Sequence, residues 1–416
     1  MKAVYFSNIG SGHLFSSLPM IEQLVKRGVQ VLYFSTEENR EHIEAKGARY
    51  CYADMQIEQE VLHKAVTTSG AHLVILAQAE KMIKSTLPIL EQEKPDFIIT
   101  DKITLAGRLA AKRLRLPLIS FHTHFASNEH WSFHSYMQKL TEEDPIYWDI
   151  KEKATYLSEN YGVPMEDLMD FGKIMDGRGD FNVVRPSKFF QPAGDTFGED
   201  YFFAGSQIAK REGNSTWQSP TDGRPLLFVS LGTMRNNWLE FYHMLFEVVK
   251  DMELNVLCAI GNILKVEDLG VIPANVTLMP FVPQLEVLSY ASYFLTHAGM
   301  GSAMETLSFG VPCVCVPTQG EQIANAMRLV EMGVAAACLV KEQLSVESLR
   351  EALDKLMTDV TYTQNAQAYA NEMKLDGGPE AAAEKIIDFV KKTCYDNNYL
   401  DDAEKEVSVK NLFRRD

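Results

Sequence analysis

One segment of the chain, residues 281–322, carries small and polar residues at spacings that suit a phosphorylated ligand. It reads FVPQLEVLSYASYFLTHAGMGSAMETLSFGVPCVCVPTQGEQ. A predicted strand at 293–296 leads through the turn 297–302 into a predicted helix that carries Glu305. The first N–H groups of a helix are unpaired and carry partial positive charge, so such a turn can hold phosphate. Two polar pairs flank the turn in sequence, Pro283-Gln284 and Glu321-Gln322. Together these groups suit a phosphate, a ribose and a further polyhydroxylated group, which is the pattern of a nucleotide-sugar site.

A second turn of small residues, 8–13 (NIGSGH), lies between the first predicted strand and the first predicted helix. Its two glycines match the start of a dinucleotide-binding motif, and Glu37 and Glu38 stand where such a motif has its ribose acid. Phe15 occupies the third glycine position, where its side chain would crowd the packing of helix on strand. The two glycines alone are therefore weak support for a nicotinamide site.

His13 lies at the start of this helix, at the carboxyl end of the first strand, where open α/β sheets bind ligands. Its ordinary pKa of about 6.5 suits a general base, although a solvated loop histidine is the alternative. Asp101 ends another predicted strand and opens onto the same edge of the sheet. Its carboxylate can accept the Nδ1–H of His13 and stabilise the imidazolium, or it can serve only as a helix N-cap. The presence of both residues favours a catalytic pair.

Four further histidines lie close together in sequence, at positions 122, 124, 130 and 134. The first two share one strand face, so we considered a metal site there. Cysteines are absent from this stretch and acidic partners are sparse, so we expect an acceptor wall of aromatic and histidine side chains and no metal. The expected members of this wall are Phe121, Thr123, His124, His130 and Phe133.

The positioning elements alternate along the chain. Strands are predicted at 2–7, 29–35, 97–100 and 117–121, and helices at 14–27, 37–45 and 104–114. This order predicts a parallel sheet with helices on both faces. Residues 128–176 lose the strand pattern and become aromatic, rich in methionine and helical, as expected of an insertion that lines a pocket or covers the sheet.

The alternation begins again after a polar stretch at 205–224 that reads as a linker. Strands are predicted at 225–231, 255–260, 276–279 and 293–296, with a helix at 237–251 and another buried strand around Cys313 and Cys315. The first of these strands leads into the small-residue turn Ser230-Leu231-Gly232-Thr233. We therefore predict domains at 1–204 and 225–378, a final helix at 379–398 and a charged tail at 399–416.

The bulk composition limits the class of function. The chain has 416 residues, 46% of them hydrophobic and 23% charged, which suits two globular domains of about 150–200 residues each. Its formal net charge of −16 disfavours nucleic acid or an anionic membrane as a partner. The start of the chain does not resemble a signal peptide, and the six cysteines are scattered. We therefore expect free thiols, a reducing compartment and a cytoplasmic location.

The order of these motifs resembles the family 1 inverting glycosyltransferases of the GT-B fold, in the bacterial branch related to macrolide and flavonoid UDP-glycosyltransferases. The likeness extends over nearly the whole chain, from GSGH through PDFIITD, SLGT and FVPQ to HAGMGS and the late Glu-Gln pair. It implies two doubly wound, Rossmann-like domains that face each other across a cleft. The final helix would return to the first domain.

The resemblance also implies a role for each matching position. His13 would be the catalytic base and Asp101 its partner. The donor-binding set would comprise Gly12, Thr233, Phe281, Val282, Gln284, His297, Gly299, Gly301, Ser302, Glu305, Glu321 and Gln322. Within it, the turn 297–302 and Thr233 would contact the diphosphate and Glu305 the ribose. Phe281 and the backbone of Val282 would flank the base, with Gln284 near the ribose, and the Glu-Gln pair would bind the sugar.

Four positions depart from the usual family pattern. The family commonly has glycine or cysteine at Ala298, asparagine at Gly301, aspartate at Glu321 and tryptophan at Phe281. The change at Gly301 leaves only a backbone N–H for the diphosphate, and the change at Glu321 bears on which sugar is preferred.

We therefore expect a metal-independent enzyme that moves glucose from UDP-glucose to a hydroxyl of a small, fairly apolar acceptor. The nucleotide sugar is a co-substrate, and no further cofactor is expected. The alternatives are a related enzyme that uses a dTDP-sugar, a lipid-linked acceptor or an epimerase reaction, a nicotinamide-dependent dehydrogenase, and a sugar-nucleotide binding protein without activity.

Overall fold

The computed structural model describes residues 1–8, 10–63, 67–134, 140–205, 217–232 and 237–395. Four expectations lie wholly or partly outside these residues: the phosphate contact of Thr233, the linker at 205–224, the end of the final helix predicted at 379–398 and the charged tail at 399–416. The chain divides into two units. The N-terminal unit comprises Met1–Gln207 and Gly377–Asp416, and the C-terminal unit comprises Ile208–Asp376.

The N-terminal unit alternates strands and helices. Its strands are β1 (Lys2–Phe6), β2 (Gln30–Ser35), β3 (Arg49–Tyr52), β4 (Phe97–Asp101), β5 (Leu118–His122), β6 (Phe181–Val184) and β7 (Tyr201–Phe203). Its helices up to that point are α1 (Ser11–Lys26), α2 (Arg40–Glu44), α3 (Gln59–His63), α4 (Thr68–Glu93), α5 (Leu105–Leu114), α6 (Tyr147–Tyr161), α7 (Met165–Leu168) and α8 (Phe171–Asp176).

Within the described residues, the strands form a parallel sheet in the order β3-β2-β1-β4-β5-β6-β7. β1 pairs with β2 on one side and with β4 on the other. From β1 the strands therefore follow one another outward on one side as β2 and β3, and on the other side as β4 to β7. A crevice opens at the carboxyl ends of the strands where this direction changes, between β1 and β4.

Both faces of this sheet are buried, which explains why its strands are almost continuously apolar. Ala3 and Tyr5 of β1 pack into the core beneath α1, whereas Val4 and Phe6 pack into a second core. The second core is closed by side chains from α4, α5 and α6. Successive residues of a strand point to opposite faces, so one short strand contributes to both cores.

The C-terminal unit repeats this arrangement. Its strands are β8 (Leu226–Ser230), β9 (Asn255–Ala259), β10 (Val276–Met279), β11 (Tyr293–Thr296), β12 (Cys313–Cys315) and β13 (Ala335–Cys338). Its helices are α9 (Leu239–Val249), α10 (Gln284–Leu288), α11 (Met300–Phe309), α12 (Gly320–Glu331), α13 (Val346–Thr358) and α14 (Thr361–Met373). Among the described residues the sheet is parallel, in the order β10-β9-β8-β11-β12-β13, so its direction changes between β8 and β11.

The last helix, α15 (Gly378–Tyr395), belongs to the N-terminal unit. Its apolar face, which includes Ala382, Ile386 and Val390, packs into the same core as α1 and β1. The ring of Phe389 stacks on Phe181 of β6 with 5.1 Å between centroids. The helix therefore completes the cover of one sheet face.

The two parallel-sheet units confirm the predicted Rossmann-like α/β class. The predicted helix at 37–45 is a 3₁₀ turn at Glu37–Asn39 followed by α2. The 26-residue helix α4 and the strands β3, β6, β7 and β13 were not predicted. In the described parts of the chain, no helix is both long enough and apolar enough to span a bilayer.

Candidate functional site

His13 and Asp101 meet at the edge of the N-terminal sheet where the strand order changes direction. His13 lies in the first turn of α1, directly after β1, and Asp101 is the last residue of β4. The Nδ1 atom of His13 lies 2.6 Å from Oδ2 of Asp101. A hydrogen bond of this length to a carboxylate orients the imidazole and favours the tautomer that has its proton on Nδ1.

Gly10 makes this position of His13 possible. It is the N-cap of α1 and has a φ of 117°, a backbone conformation that a residue with a side chain rarely adopts. Its carbonyl oxygen accepts the backbone N–H groups of His13 and Leu14, at 3.2 Å each. The turn therefore tightens directly after β1 and brings His13 over the carboxyl edge of the sheet.

The carboxylate of Asp101 is fully buried and keeps its negative charge. Burial alone would raise its pKa, but the charge and hydrogen bond of His13, together with the charge of His124, lower the pKa below its usual value. The other carboxylate oxygen accepts the backbone N–H of Ile103 at 3.2 Å. A buried anion beside an imidazole stabilises the imidazolium that forms when the ring takes up a proton.

The five residues expected in the acceptor wall lie in different environments. Thr123 is buried, with its hydroxyl 3.4 Å from Nδ1 of His13, and the ring of His124 lies edge-on to His13 at 5.4 Å. Phe133 contacts the ring of His134. His130 is exposed in a turn, with Nε2 3.7 Å from a carboxylate oxygen of Glu129.

Phe121 lies elsewhere than expected. It is a fully buried residue of β5 and packs edge-on to Tyr5 in the core beneath α1. Because both faces of this sheet are covered, the side chain of Phe121 lies inside a packed core rather than on the wall of an open pocket.

Further polar contacts lie beside His13 and Asp101, and they were not predicted from the sequence. Lys102, the residue after Asp101, is buried and donates from Nζ to the carbonyl oxygen of Phe125 at 2.8 Å. Asp176 at the end of α8 accepts from Nδ1 of His134 at 2.8 Å. A lysine between a strand and a helix usually indicates a surface position, so only its place next to Asp101 could have drawn attention to it.

The turn after β11 holds His297 between two glycines. A Cβ atom on Gly232 would lie 2.7 Å from the His297 ring, and one on Gly299 would lie 2.6 Å from its Nε2. Real Cβ atoms do not approach other atoms so closely, so both positions need glycine. Burial lowers the pKa of His297, against the opposing effects of the Ser230 backbone and the Glu321 carboxylate, so the ring is neutral near pH 7.

The first turn of α11 points its N–H groups into this region. Gly299 is the N-cap and provides no side-chain hydrogen bond, and the first turn contains no acidic residue. The earliest backbone N–H of this helix with a partner inside it is that of Ala303, which donates to Gly299. The N–H groups of Met300, Gly301 and Ser302 therefore precede the helical ladder, as at an anion-binding helix start.

The expected ribose and base residues lie around the start of α10. Gln284 begins this helix and donates a short hydrogen bond from Nε2 to the carboxylate of Glu305 on α11. Glu305 is only 7% exposed. Phe281, three residues before Gln284, is 73% exposed, whereas Val282 is buried. An exposed aromatic ring near a buried carboxylate suits a base that stacks and a ribose that donates hydroxyls.

The Glu-Gln pair, Glu321 and Gln322, lies in the first turn of α12. Glu321 is half-buried, and Gln322 is buried. The side-chain oxygen of Gln322 accepts from the backbone and hydroxyl of Thr318, at 2.8 and 3.0 Å. Four residues after Glu321, Asn325 is fully buried and joins this helix to the carbonyl of Ala298. The spacing of one helical turn could have identified Asn325 from the sequence.

Comparisons with known proteins agree with this architecture. The family described as "Erythromycin biosynthesis protein CIII-like, C-terminal domain" matches residues 243–389. The NDP-glycosyltransferase YjiC of Bacillus licheniformis is 33% identical over 388 residues, which cover 91% of this chain and 95% of the relative. The demethyllactenocin mycarosyltransferase of Streptomyces fradiae is 30% identical over 397 residues, covering 92% and 85% of the two chains.

A solved structure shows the same fold. The crystal structure of CalG4, the calicheamicin glycosyltransferase, superposes with a TM-score of 0.81 at 26% identity. The match covers 94% of this chain and 98% of CalG4. Both units described above therefore fall within the region of similarity.

Proposed function

Since this chain belongs to the family 1 glycosyltransferases of the macrolide type, we propose that it transfers glucose from UDP-glucose to a hydroxyl group of a small, fairly apolar natural product. Macrolides and flavonoids are the acceptor classes that we favour. The observation that carries the proposal is the hydrogen bond between His13 and the buried Asp101 at the edge where ligands bind. This pair provides the base that an acceptor hydroxyl requires.

In the proposed reaction, Nε2 of His13 takes the proton of the acceptor hydroxyl while the hydroxyl oxygen attacks the anomeric carbon. The new bond from oxygen to carbon forms as the bond from the anomeric carbon to the diphosphate oxygen breaks. The nucleoside diphosphate leaves with the bonding electrons, and the configuration at the anomeric carbon inverts. Asp101 holds Nδ1 and offsets the positive charge that develops on the imidazole.

The departing diphosphate gains negative charge, and we propose that the first turn of α11 stabilises it. The N–H groups of Met300, Gly301 and Ser302 precede the helical ladder and lie at the positive end of the helix dipole. The ring of His297 is neutral near pH 7, so it lies in this turn without adding a positive charge. We propose that these groups, rather than a metal ion, balance the charge.

The choice of uridine over thymidine nucleotides is supported by the pair of Gln284 and Glu305. A buried carboxylate is an acceptor for ribose hydroxyls, and Gln284 orients it. A thymidine nucleotide has a deoxyribose without the 2′-hydroxyl, so it would leave part of this acceptor unmatched. The name of the Bacillus licheniformis relative specifies a nucleoside diphosphate but no base, so dTDP remains the alternative to test.

Thermal unfolding of the full chain with UDP, dTDP or NADH tests the proposed donor. A ligand at about 100 times its Kd adds about 2.7 kcal/mol to the free energy of unfolding, which gives a clear rise in Tm. We expect UDP to raise the Tm more than dTDP, and NADH to leave it unchanged. A rise in Tm with dTDP alone would favour a deoxysugar donor in place of UDP-glucose. The absence of any rise with either nucleotide would contradict the proposed donor site.

A further inference from the structure

Asn325 is buried at the point where two parts of the C-terminal site meet. It lies on α12, four residues after Glu321, and is fully enclosed. Its Nδ2 atom lies 3.0 Å from the carbonyl oxygen of Ala298 and 3.5 Å from Oε1 of Glu321. An amide nitrogen has two hydrogens to donate, so these two acceptors use both. Within the described residues its Oδ1 atom has no hydrogen-bond partner.

The contact with Ala298 acts on the turn before α11. Ala298 has a φ of 58°, in the left-handed region that residues with a side chain seldom occupy. Its carbonyl belongs to the rigid peptide plane that continues into Gly299, the N-cap of α11. A hydrogen bond to this oxygen fixes the plane and, through it, the direction of the first N–H groups of the helix.

The contact with Glu321 acts on the part of the site that is expected to bind the sugar. Residues four apart on a helix face the same side, so Asn325 lies beneath the carboxylate of Glu321. The nitrogen donates to that carboxylate, at the long end of hydrogen-bond distances. An unpaired buried acceptor destabilises a protein, so an apolar residue would serve the core better than this asparagine. The hydrogen bonds that the side chain donates to Ala298 and Glu321, rather than packing in the core, explain why an asparagine stands here.

We propose that Asn325 is a positioning residue that links recognition of the sugar to binding of the diphosphate. One amide group orients both the turn that would hold the diphosphate and the carboxylate that would hold the sugar. The link makes the sugar part of the donor bind more tightly when the turn is in place. This inference rests on the proposed function of the C-terminal site as a nucleotide-sugar site.

The test compares the Kd of UDP with that of UDP-glucose in the full chain, by calorimetry, for Asn325→Ala and Asn325→Asp. Loss of a hydrogen bond to a charged group weakens binding about tenfold. We expect the affinity for UDP-glucose to fall about tenfold more than the affinity for UDP. The isosteric aspartate should have the larger effect, because it places a second negative charge beside Glu321. The ratio of two affinities from one preparation does not depend on the folded fraction.

A matched control is available on α14. Asn365 also donates from Nδ2 to a backbone carbonyl, that of Gly333 at 3.1 Å, and Gly333 also has a positive φ, of 66°. Asn365→Asp therefore makes the same chemical change at a comparable contact away from the site. We expect it to alter the Tm and to leave the ratio of the two affinities unchanged.

A double-mutant cycle distinguishes a coupling role from general support. In a Glu321→Ala background the carboxylate proposed to bind the sugar is absent. Asn325→Ala should then weaken the binding of UDP-glucose only as much as it weakens the binding of UDP. Equal weakening of both ligands in the wild-type background would overturn the inference, and so would no weakening of either. If the wild type prefers dTDP, the same ratio is measured with dTDP and dTDP-glucose. Failure of the wild type to bind any of these four ligands would instead contradict the proposed function.

Discussion

His13 acquires its proposed role from three neighbours, two of which lie at the same ring nitrogen. The Nδ1 atom contacts the carboxylate of Asp101 and lies near the hydroxyl of Thr123, while His124 lies edge-on to the ring. The buried negative charge favours an imidazolium, and the fixed Nδ1 assigns proton uptake to Nε2. The side chain of His13 remains 17% exposed, which is enough for contact with a ligand.

The first prediction concerns His13→Gln. Glutamine retains a polar side chain but cannot take up a proton at neutral pH, so kcat for transfer should fall about 10²–10⁴-fold. The Kd of UDP should not change, because His13 is proposed to act on the acceptor. The control is the same change at exposed His243 on α9, which should leave transfer unaffected. Turnover by His13→Gln at the wild-type rate would contradict the role of His13.

The sequence predicted residues at the ends of strands better than residues within packed networks. His13, Asp101 and His297 follow or end apolar strands, so the geometry of a parallel sheet alone places them at its carboxyl edge. Phe121 and Lys102 could not be assigned in this way. Whether a side chain at the end of β5 is enclosed, and whether a lysine is buried, depend on the elements that cover the sheet.

At the scale of elements, both units contain the same arrangement of strand, turn and helix. In each, a turn directly after a strand lies beside the point where the strand order changes direction, and a helix begins there. In the N-terminal unit this turn carries a histidine held by a carboxylate, and in the C-terminal unit it carries a histidine held between glycines. In our proposal, the same local geometry therefore serves proton transfer in one unit and anion binding in the other.

The second prediction concerns Gly299→Ala at the N-cap of α11. Its added methyl group would lie 2.6 Å from Nε2 of His297, so the ring or the turn must move. We expect UDP to bind about tenfold more weakly, equivalent to about 1.4 kcal/mol, because the N–H groups of the first turn are displaced. The control is Gly320→Ala at the start of α12, where an added methyl group meets nothing within 4 Å. Equal UDP affinity for the two variants would contradict the proposed diphosphate site.

Some elements could be predicted from the sequence, and others could not. The strands at 276–279 and 293–296 match the predicted bounds because β-branched and aromatic residues are concentrated in them. The strand β13 is Ala335–Cys338, mostly alanine, whose local preference is helical. Its pairing with β12 in the sheet overrides that preference. The three-residue strand β7 is too short for any periodicity to show.

At the scale of the whole molecule, the N-terminal unit encloses several histidines, and this makes its stability depend on pH. His72, His122 and His134 all have a pKa below the ordinary value, with burial as the largest cause. The strongest case is His122, whose pKa falls to about 3 because burial and the nearby charge of Lys102 outweigh Asn182, Asp101 and Asp176. This ring donates from Nε2 to Asn182 at 3.1 Å.

The third prediction follows from the sign of this shift. Between the unfolded pKa of about 6.5 and the folded pKa of about 3, the unfolded chain binds a proton that folded His122 does not. The free energy of unfolding therefore falls as the pH falls, by about 1.4 kcal/mol per pH unit for this group. His122→Gln removes this group. Between pH 7 and pH 5 its free energy of unfolding should therefore fall by about 2 kcal/mol less than that of the wild type.

Urea unfolding of the N-terminal unit at pH 7 and at pH 5 measures this difference in the free energy of unfolding. His243→Gln is again the control, because it makes the same substitution at an exposed position outside the N-terminal unit. An identical pH dependence for His122→Gln and the wild type would show that His122 is not held neutral in the folded chain.

The central claim, direct transfer of glucose with inversion by the His13–Asp101 pair, is tested most directly by the configuration of the product. The full chain would be incubated with UDP-α-glucose and a flavonoid, and the anomeric proton of the purified glucoside examined by NMR. The account predicts a β-glucoside, identified by the large coupling of its anomeric proton, and predicts that His13→Gln forms almost none. An α-linked product, or equal product from His13→Gln, would contradict it.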